Sequence, residues 1–348
     1  MKRVKFYIIL IIFGFNLCSY AQDSLFSVAK KSMEQERWIE AQNLLLQGLK
    51  TTKDTLLYSY ELAWAYYSNK EYSQSIKTLQ PFVDNQSATS EVYQLLGNAW
   101  DEYGNPYKAA DVYKEGLNKY PQAGNLFLEL GNLKYKQGDY KDALYWYEKG
   151  IEAEPLFSSN YYRAAKVFFM STEMVWGILY GEMFMLLEND TERSKQMSKE
   201  LLEAYFSCLR NENGKPVADF NNNIIVYSDS YERKNLLPKI YNSIMQECCN
   251  NIKHLNFEIL INIRKNFILK LYKQAPDFDN IIFDYEKQLI DNGMFEAFNY
   301  YLFAYGETKT AKNWITQHKQ QWDNFNKWYK QNPIKVSENN FFSRYNME

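Results

Sequence analysis

The sequence predicts an all-α protein made of stacked helix hairpins, and three observations indicate this fold class. First, 46% of the 348 residues are apolar and 17% are aromatic, which is ample material for a hydrophobic core. Second, the chain has only 14 glycines and 8 prolines, too few for the many turns of an all-β fold. Third, the sequence matches itself when it is shifted by 34 residues, a period typical of helical repeats.

The charge balance argues against nucleic acid as a partner. The chain has 40 basic and 42 acidic residues, a net charge of −2, and two histidines. Proteins that bind nucleic acid carry a basic face and a high isoelectric point. We therefore expect no nucleic-acid partner.

The amino terminus has the pattern of a secretory signal peptide. Residues 2–5 are rich in basic side chains, residues 6–13 form an apolar run, and small residues lie next to and three before the expected cut after Ala21. We expect residues 1–21 to be removed and the protein to be exported, to the periplasm or to the outer membrane and cell surface. Lipid attachment at Cys18 is the alternative. No later segment is predicted to span a membrane.

The third and fourth repeat units carry the period most strongly. In the fourth unit Gly138 predicts a tight turn between two helices, and Gly131 and Ala143 are small where these helices approach each other. Tyr147 fills the space beside that contact, and Pro155 follows the second helix because proline cannot continue it. The pairs that match at this shift are Leu96 and Leu130, Gly97 and Gly131, Asn98 and Asn132, Gly104 and Gly138, Ala109 and Ala143, Tyr113 and Tyr147, Gly116 and Gly150, and Pro121 and Pro155.

This pattern resembles the tetratricopeptide repeat, a helix-turn-helix unit whose copies stack into an α-solenoid, a right-handed superhelix of hairpins. The same spacing extends the repeats over residues 22–191. Glu36 and Lys70 replace the turn glycine in the first two units, and Gly181 replaces an aromatic residue in the last. The predicted units are 22–55, 56–89, 90–123, 124–157 and a degenerate 158–191.

Residues 192–348 are predicted to form an all-helical region that caps or extends the solenoid, because the last apolar face of an array must be covered. A polar stretch, 211–223, with the turn dipeptide Asn213-Gly214, separates the first two helices of this region. The expected helices are 194–210, 234–253, 257–273, 278–291, 295–305 and 308–330. Trp314, Trp322 and Trp328 in the last of them are expected to pack in the core.

The cysteine pattern predicts no metal site. Cys208, Cys248 and Cys249 remain after signal cleavage, and adjacent cysteines do not have the separated spacing of zinc ligands. A disulfide from Cys208 to either of the other two stays open. We expect all three to be buried helix residues that act as small apolar side chains.

The resemblance implies a binding surface, because the first helix of each tetratricopeptide unit lines a concave groove that holds a peptide or a partner helix. Tyr60, Trp64 and Tyr67 form an aromatic stripe at helical spacing, which could equally pack against neighbouring helices. The lysine of the family's carboxylate clamp is missing, since Phe26, Tyr60 and Gln94 stand in its place. The residues implied to face the groove are Tyr60, Trp64, Tyr67, Gln94, Asn98, Asp101, Asn132, Tyr135, Lys136 and Lys166.

We therefore predict a non-catalytic, exported scaffold that binds a protein or peptide in the groove. The alternatives are a cell-surface glycan-binding module, since aromatic rings stack on sugars, and an enzyme with a site in residues 192–348. No nucleophile elbow, zinc helix or phosphate loop is present in the sequence, so no catalytic residue and no cofactor are predicted.

Overall fold

The computed structural model describes residues 24–212, 215–220, 236–250, 252 and 254–347. The predicted signal peptide and Cys18 lie outside these residues. The chain divides into two compact units, Met1–Ala88 and Thr89–Glu348, which are described separately. None of the helices in the described residues combines the length and apolar composition needed to cross a bilayer.

The first unit consists of two helix hairpins. Glu36 and Lys70 lie in the two intrahairpin turns at φ 58° and 66°, the left-handed region that the glycine of a standard unit would adopt. Glu36 and Lys70 therefore follow the same backbone path as the turn glycine, and each left-handed conformation costs about 1 kcal/mol of folding free energy. The helices are α1 Ser24–Glu34, α2 Trp38–Gly48, α3 Thr55–Ser68 and α4 Tyr72–Asp84.

The second unit begins with three further hairpins. Their helices are α5 Ser90–Glu102, α6 Pro106–Lys119, α7 Gly124–Lys136, α8 Tyr140–Ala153, α9 Ser158–Phe168 and α10 Met174–Leu187. The second helices of the five hairpins begin at residues 38, 72, 106, 140 and 174, a constant spacing of 34. The prediction of an all-α, tetratricopeptide-type fold is therefore confirmed, and the degenerate fifth unit also forms a complete hairpin.

The close contact inside the hairpins is the one predicted from the small residues. A Cβ atom on Gly131 would lie 2.3 Å from Cε1 of Tyr147, and one on Gly97 would lie 2.1 Å from Cε1 of Tyr113. Both distances are shorter than a side chain can accept, so the tyrosine ring occupies the space that glycine leaves.

The remainder of the second unit is mostly helical, with one exception to the all-helical prediction. Two short strands pair antiparallel, with Leu209 opposite Ala218. The sequence between them contains Asn213-Gly214, a dipeptide that favours two-residue hairpins as well as helix-connecting turns. The elements are α11 Glu192–Cys208, β1 Leu209–Glu212, β2 Lys215–Ala218, α12 Leu236–Cys249, α13 Phe257–Gln274, α14 Ile281–Asp291, α15 Phe295–Leu302, α16 Thr308–Gln317, α17 Lys319–Gln331 and a 3-10 turn Arg344–Met347.

Helix α11 continues the repeat spacing, because it begins 34 residues after α9, at residue 192 against 158. It also explains the glycine that replaces the aromatic residue of the fifth unit. A Cβ on Gly181 would lie 2.9 Å from both Met197 Sδ and Leu201 Cδ2 of α11. Side chains of the following helix thus fill the position that a tyrosine fills in the third and fourth hairpins.

The predicted helix 308–330 is two helices, because the backbone leaves the helical region at His318, with φ −117° and ψ 39°. Trp314 and Phe325 are buried on either side of this break, and Trp322 and Trp328 pack against the same core. The tryptophans therefore take part in the core, as the sequence predicts.

A fully buried ion network joins the fifth hairpin to the C-terminal helices. Arg264 of α13 donates hydrogen bonds to Glu182 of α10 at 2.7 Å, to Asn299 of α15 at 2.6 Å and to Glu286 of α14. Tyr205 of α11 donates to the same Glu182 at 2.9 Å. Burial raises the pKa of Glu286 to about 8, although the guanidinium of Arg264 opposes that rise.

The residues after α17 fold back onto the repeats. Phe342 is fully buried, with its ring 5.1 Å from the ring of Tyr180 in α10. Arg344 binds the buried carboxylate of Glu148 in α8 through two nitrogens, at 3.0 and 2.9 Å, and its backbone N–H donates to the Tyr180 hydroxyl at 2.9 Å. Residues 341–345, called the tail here, therefore anchor the chain end on α8 and α10.

Cys208, Cys248 and Cys249 carry free thiols, so the described residues contain neither of the two disulfides that the sequence leaves open. Cys208 and Cys249 are buried. Burial raises the pKa of Cys208 to about 11 and that of Cys249 to about 12. Cys208 and Cys249 therefore act as small apolar groups, as the sequence predicts, whereas Cys248 is only half-buried and departs from that prediction.

Candidate functional site

In the first unit, the predicted aromatic stripe lies along α3. The rings of Trp64 and Tyr67 stack with centroids 5.9 Å apart, and Tyr72 meets Tyr67 edge-on at 5.5 Å. Tyr60, Trp64 and Tyr67 are each half-buried, and Trp64 packs against the core that includes Leu62. The three rings thus both stabilise this unit and keep part of their surface open.

In the second unit, the other predicted residues lie on the first helices of successive hairpins. We call this surface the first-helix face and define it by the predicted residues together with the glutamates that bind them. Its members are Gln94, Asn98, Asp101 and Glu102 of α5, Glu129, Asn132, Tyr135 and Lys136 of α7, Lys166 of α9 and Glu200 of α11.

Polar side chains join α5 to α7 at both ends of this face. Gln94 donates to Glu129 at 2.8 Å and accepts from Asn125 at 2.9 Å. Lys136 forms ion pairs with Asp101 and, at 3.3 Å, with Glu102. Burial lowers the pKa of Lys136, but the hydrogen bond and charge of Asp101 outweigh this effect and leave the pKa raised. Gln94, Asp101 and Lys136 therefore hold neighbouring hairpins together.

The same arrangement continues toward α11. Lys166 of α9 pairs with Glu200 of α11 at 2.5 Å. Tyr135 of α7 donates to the sulfur of Met170 at 3.7 Å, just after α9. Lys166 and Tyr135 therefore each have a partner outside their own hairpin.

Asn98 and Asn132 differ from the other predicted residues because a tyrosine of their own hairpin fixes them. The hydroxyl of Tyr113 donates to the side-chain oxygen of Asn98, and that of Tyr147 donates to Asn132 at 3.1 Å. The Nδ2 group of Asn132 donates to Glu129 at 2.9 Å, which uses one of its two hydrogens. Within the described residues, no acceptor contacts Nδ2 of Asn98.

This arrangement directs amide donors away from the hairpin interior. An asparagine side chain has one oxygen acceptor and two N–H donors, so fixing the oxygen inward leaves the donors outward. Tyr147 stays protonated and continues to donate, since burial raises its pKa well above the usual value. The face carries acids and bases side by side, which suits a polar, extended ligand rather than a highly charged one.

On the first-helix face, metal binding or nucleophilic catalysis would need specific groupings of side chains. Among the residues that the structure describes, no three His, Cys, Asp or Glu side chains are grouped so that they could hold a metal ion. The side chains of the first-helix face are engaged in ion pairs and hydrogen bonds within and between hairpins, and these contacts pair no nucleophile with a base.

Sequence reasoning missed the pairing of the predicted residues with side chains of neighbouring helices. Glu102 and Lys136 are 34 residues apart, and so are Lys166 and Glu200. Opposite charges separated by one repeat length are a signal that would have identified these pairs. Tyr113 and Tyr147 were expected to fill space, and their hydrogen bonds to Asn98 and Asn132 are an additional role.

No family model and no curated protein match this chain. Solved structures similar to it include a thermophilic TPR protein of Thermus thermophilus, 15% identical, which covers 52% of this chain and 100% of that one with a TM-score of 0.43. The Pseudomonas aeruginosa protein PilF is 13% identical over 76% of this chain and 96% of its own, with a TM-score of 0.43. The C-terminal part of a TPR repeat-containing protein of Cytophaga hutchinsonii is 12% identical over 90% and 97%, with a TM-score of 0.42.

Proposed function

We propose that this protein is a non-catalytic scaffold that binds an extended peptide segment of a partner protein on the first-helix face. The observation that carries the proposal is the pair of asparagines, Asn98 and Asn132, each fixed through its oxygen by a tyrosine hydroxyl. Two fixed amides, one repeat apart, present N–H donors that can bind the carbonyl groups of a peptide backbone.

Fixing these side chains before binding favours affinity. An asparagine that is already held by Tyr113 or Tyr147 loses little rotational entropy when a ligand docks, so more of each hydrogen bond contributes to binding. The ion pairs around them, such as Lys136 with Asp101, hold α5 and α7 in register at the same time. The face is therefore organised before the peptide arrives.

The proposal also includes apolar contacts with the partner and the compartment in which the protein acts. In the first unit, the half-buried rings of Tyr60, Trp64 and Tyr67 are proposed to contact apolar side chains of a partner. Export to the periplasm or the cell surface remains part of the proposal, on the basis of the sequence pattern in residues 1–21.

A displayed library of random peptides selects ligands without knowledge of the natural partner. Peptides enriched on the wild-type protein are titrated against N98A/N132A by fluorescence anisotropy, with N118A as the matched control on exposed Asn118 of α6. Two lost hydrogen bonds of about 1 kcal/mol each predict a Kd about 10- to 30-fold higher for the double variant. The control variant should bind like the wild type.

Two results contradict the proposal. In the first, selection on this protein enriches no peptide beyond those that a parallel selection on an unrelated helical protein also enriches. In the other, enriched peptides bind N98A/N132A as tightly as the wild type while circular dichroism shows that the variant is folded.

A further inference from the structure

A concave feature lies among the C-terminal helices. It is a cavity of about 420 Å³ between α13, the start of α15, α16 and the start of α17. Cavities of this size are large enough to bind small molecules. Its polar lining residues are Glu258, Asn262, Lys265, Glu296, Tyr300 and Gln321, above an apolar floor that includes Ile261 and Phe295.

Three rings stacked face to face form one wall of this cavity. The ring centroid of Trp314 lies 4.3 Å from that of Tyr300, with an interplanar angle of 13°, and 4.8 Å from that of His318, with an angle of 19°. Tyr300 and Trp314 are buried, and His318 is exposed. The stack therefore fixes the His318 ring at the cavity mouth, where its outer face is open to a flat ligand.

The hydroxyl of Tyr300 is accessible from the cavity. Tyr300 as a whole is only 2% exposed, and within the described residues its hydroxyl forms no hydrogen bond to the protein. A hydroxyl that opens onto a cavity can bond there to water or to a ligand atom. Burial, with the nearby carboxylates of Glu258 and Glu296, raises the pKa of Tyr300 to about 12, so this hydroxyl remains a donor at neutral pH.

Two neighbouring side chains hold the carboxylate of Glu296 in place. Nε1 of Trp314 donates to one of its oxygens at 3.1 Å, and Nε2 of Gln321 approaches the other at 3.4 Å. Each carboxylate oxygen can accept a second hydrogen bond, so Glu296 presents fixed acceptors to the cavity. Asn262 and Gln321 add side-chain amides at the rim.

The cavity lining carries charges of both signs, two carboxylates and one lysine. Lys265 on the rim opposes a cation, while Glu258 and Glu296 oppose an anion. Hydroxyl, amide and carboxylate groups placed around one cavity match a molecule whose own groups both donate and accept, and the open ring face matches a flat CH surface. We propose that the cavity bounded by Tyr300, Glu296, Glu258 and His318 is a saccharide-binding site.

This proposal is independent of the first-helix face, so either can fail alone. The test is isothermal titration of the full chain with glucose, mannose, N-acetylglucosamine, maltose and cellobiose, with choline and citrate as charged probes. At least one sugar should bind with a Kd below about 10 mM. Y300F, which removes only the hydroxyl, should weaken that sugar about 3- to 10-fold, and E258Q should weaken it about 10-fold.

The matched control is Y305F, because Tyr305 is an exposed tyrosine that does not line the cavity. It should bind the sugar like the wild type. The proposal is overturned if none of the five sugars binds, if choline or citrate binds and the sugars do not, or if Y300F and E258Q both keep wild-type affinity. Because E258Q changes an exposed residue, it preserves the test even if Y300F disturbs folding.

Discussion

Replacing Arg264 with methionine should destabilise the second unit strongly. Arg264 is 1% exposed and provides the only cationic partner in hydrogen-bond reach of the buried carboxylates of Glu182 and Glu286 within the described residues. Its removal leaves two carboxyl groups in the core without a counterion and leaves Asn299 without its donor. Breaking a buried pair in this way costs about 3–5 kcal/mol of unfolding free energy.

The assay is urea unfolding followed by far-ultraviolet circular dichroism, at two pH values. The matched control is K270M, because Lys270 pairs with Glu247 at 3.1 Å on the surface, where both side chains are about half exposed. Loss of such a pair costs less than about 1 kcal/mol. Replacing all three charges, as in E182Q/R264M/E286Q, should recover most of the lost stability, because no uncompensated charge then remains buried.

The pH dependence of the unfolding free energy follows from the same ion network. Burial raises the pKa of Glu286 to about 8, above its usual value near 4.5, so the folded protein binds this proton more tightly than the unfolded chain. Stability should therefore rise as the pH falls from about 8 toward about 5, and E286Q should reduce this slope. In R264M the penalty should be larger at pH 8 than at pH 5.5. If R264M lowers the unfolding free energy by less than about 1 kcal/mol at both pH values, this network does not stabilise the second unit.

Three further substitutions probe other parts of the structure by urea unfolding. R344A should cost about 3 kcal/mol, because it leaves the fully buried Glu148 without its cation; a value equal to that of an exposed lysine variant would contradict the tail contact. Y147F removes the hydroxyl that fixes Asn132 and should cost about 1 kcal/mol, together with weaker binding of selected peptides; unchanged binding would argue against the fixed amide. G131A places a Cβ 2.3 Å from the Tyr147 ring and should cost at least about 2 kcal/mol, and a neutral effect would show that the ring can move aside.

The hairpins could be predicted from the sequence because their signals are local. Gly131 and Tyr147 belong to one hairpin, and the constant spacing of 34 residues repeats the same contacts along the chain. The positions of Asn98 and Asn132 on first helices followed from that spacing. Their tyrosine partners lie 15 residues away in each case, within the same unit.

The remaining features could not be predicted because they join residues that are distant in sequence. Arg264 meets Glu182 across 82 residues, and Arg344 meets Glu148 across 196. A single sequence contains no periodic signal for such pairs, and isolated charged residues are most often found at the surface. The break at His318 also lacked a signal, because neither glycine nor proline marks it and the apolar spacing continues through it.

The most direct test of the central claim is a nuclear magnetic resonance titration of the side-chain amide groups with a selected peptide. The Nδ2 resonances of Asn98 and Asn132 are assigned from the single variants N98A and N132A, and Asn118 serves as the internal reference. Binding on the first-helix face predicts shifts of the Asn98 and Asn132 signals that saturate with the same Kd as the anisotropy, while Asn118 stays unchanged. Saturable binding that leaves both asparagine signals in place would contradict the account.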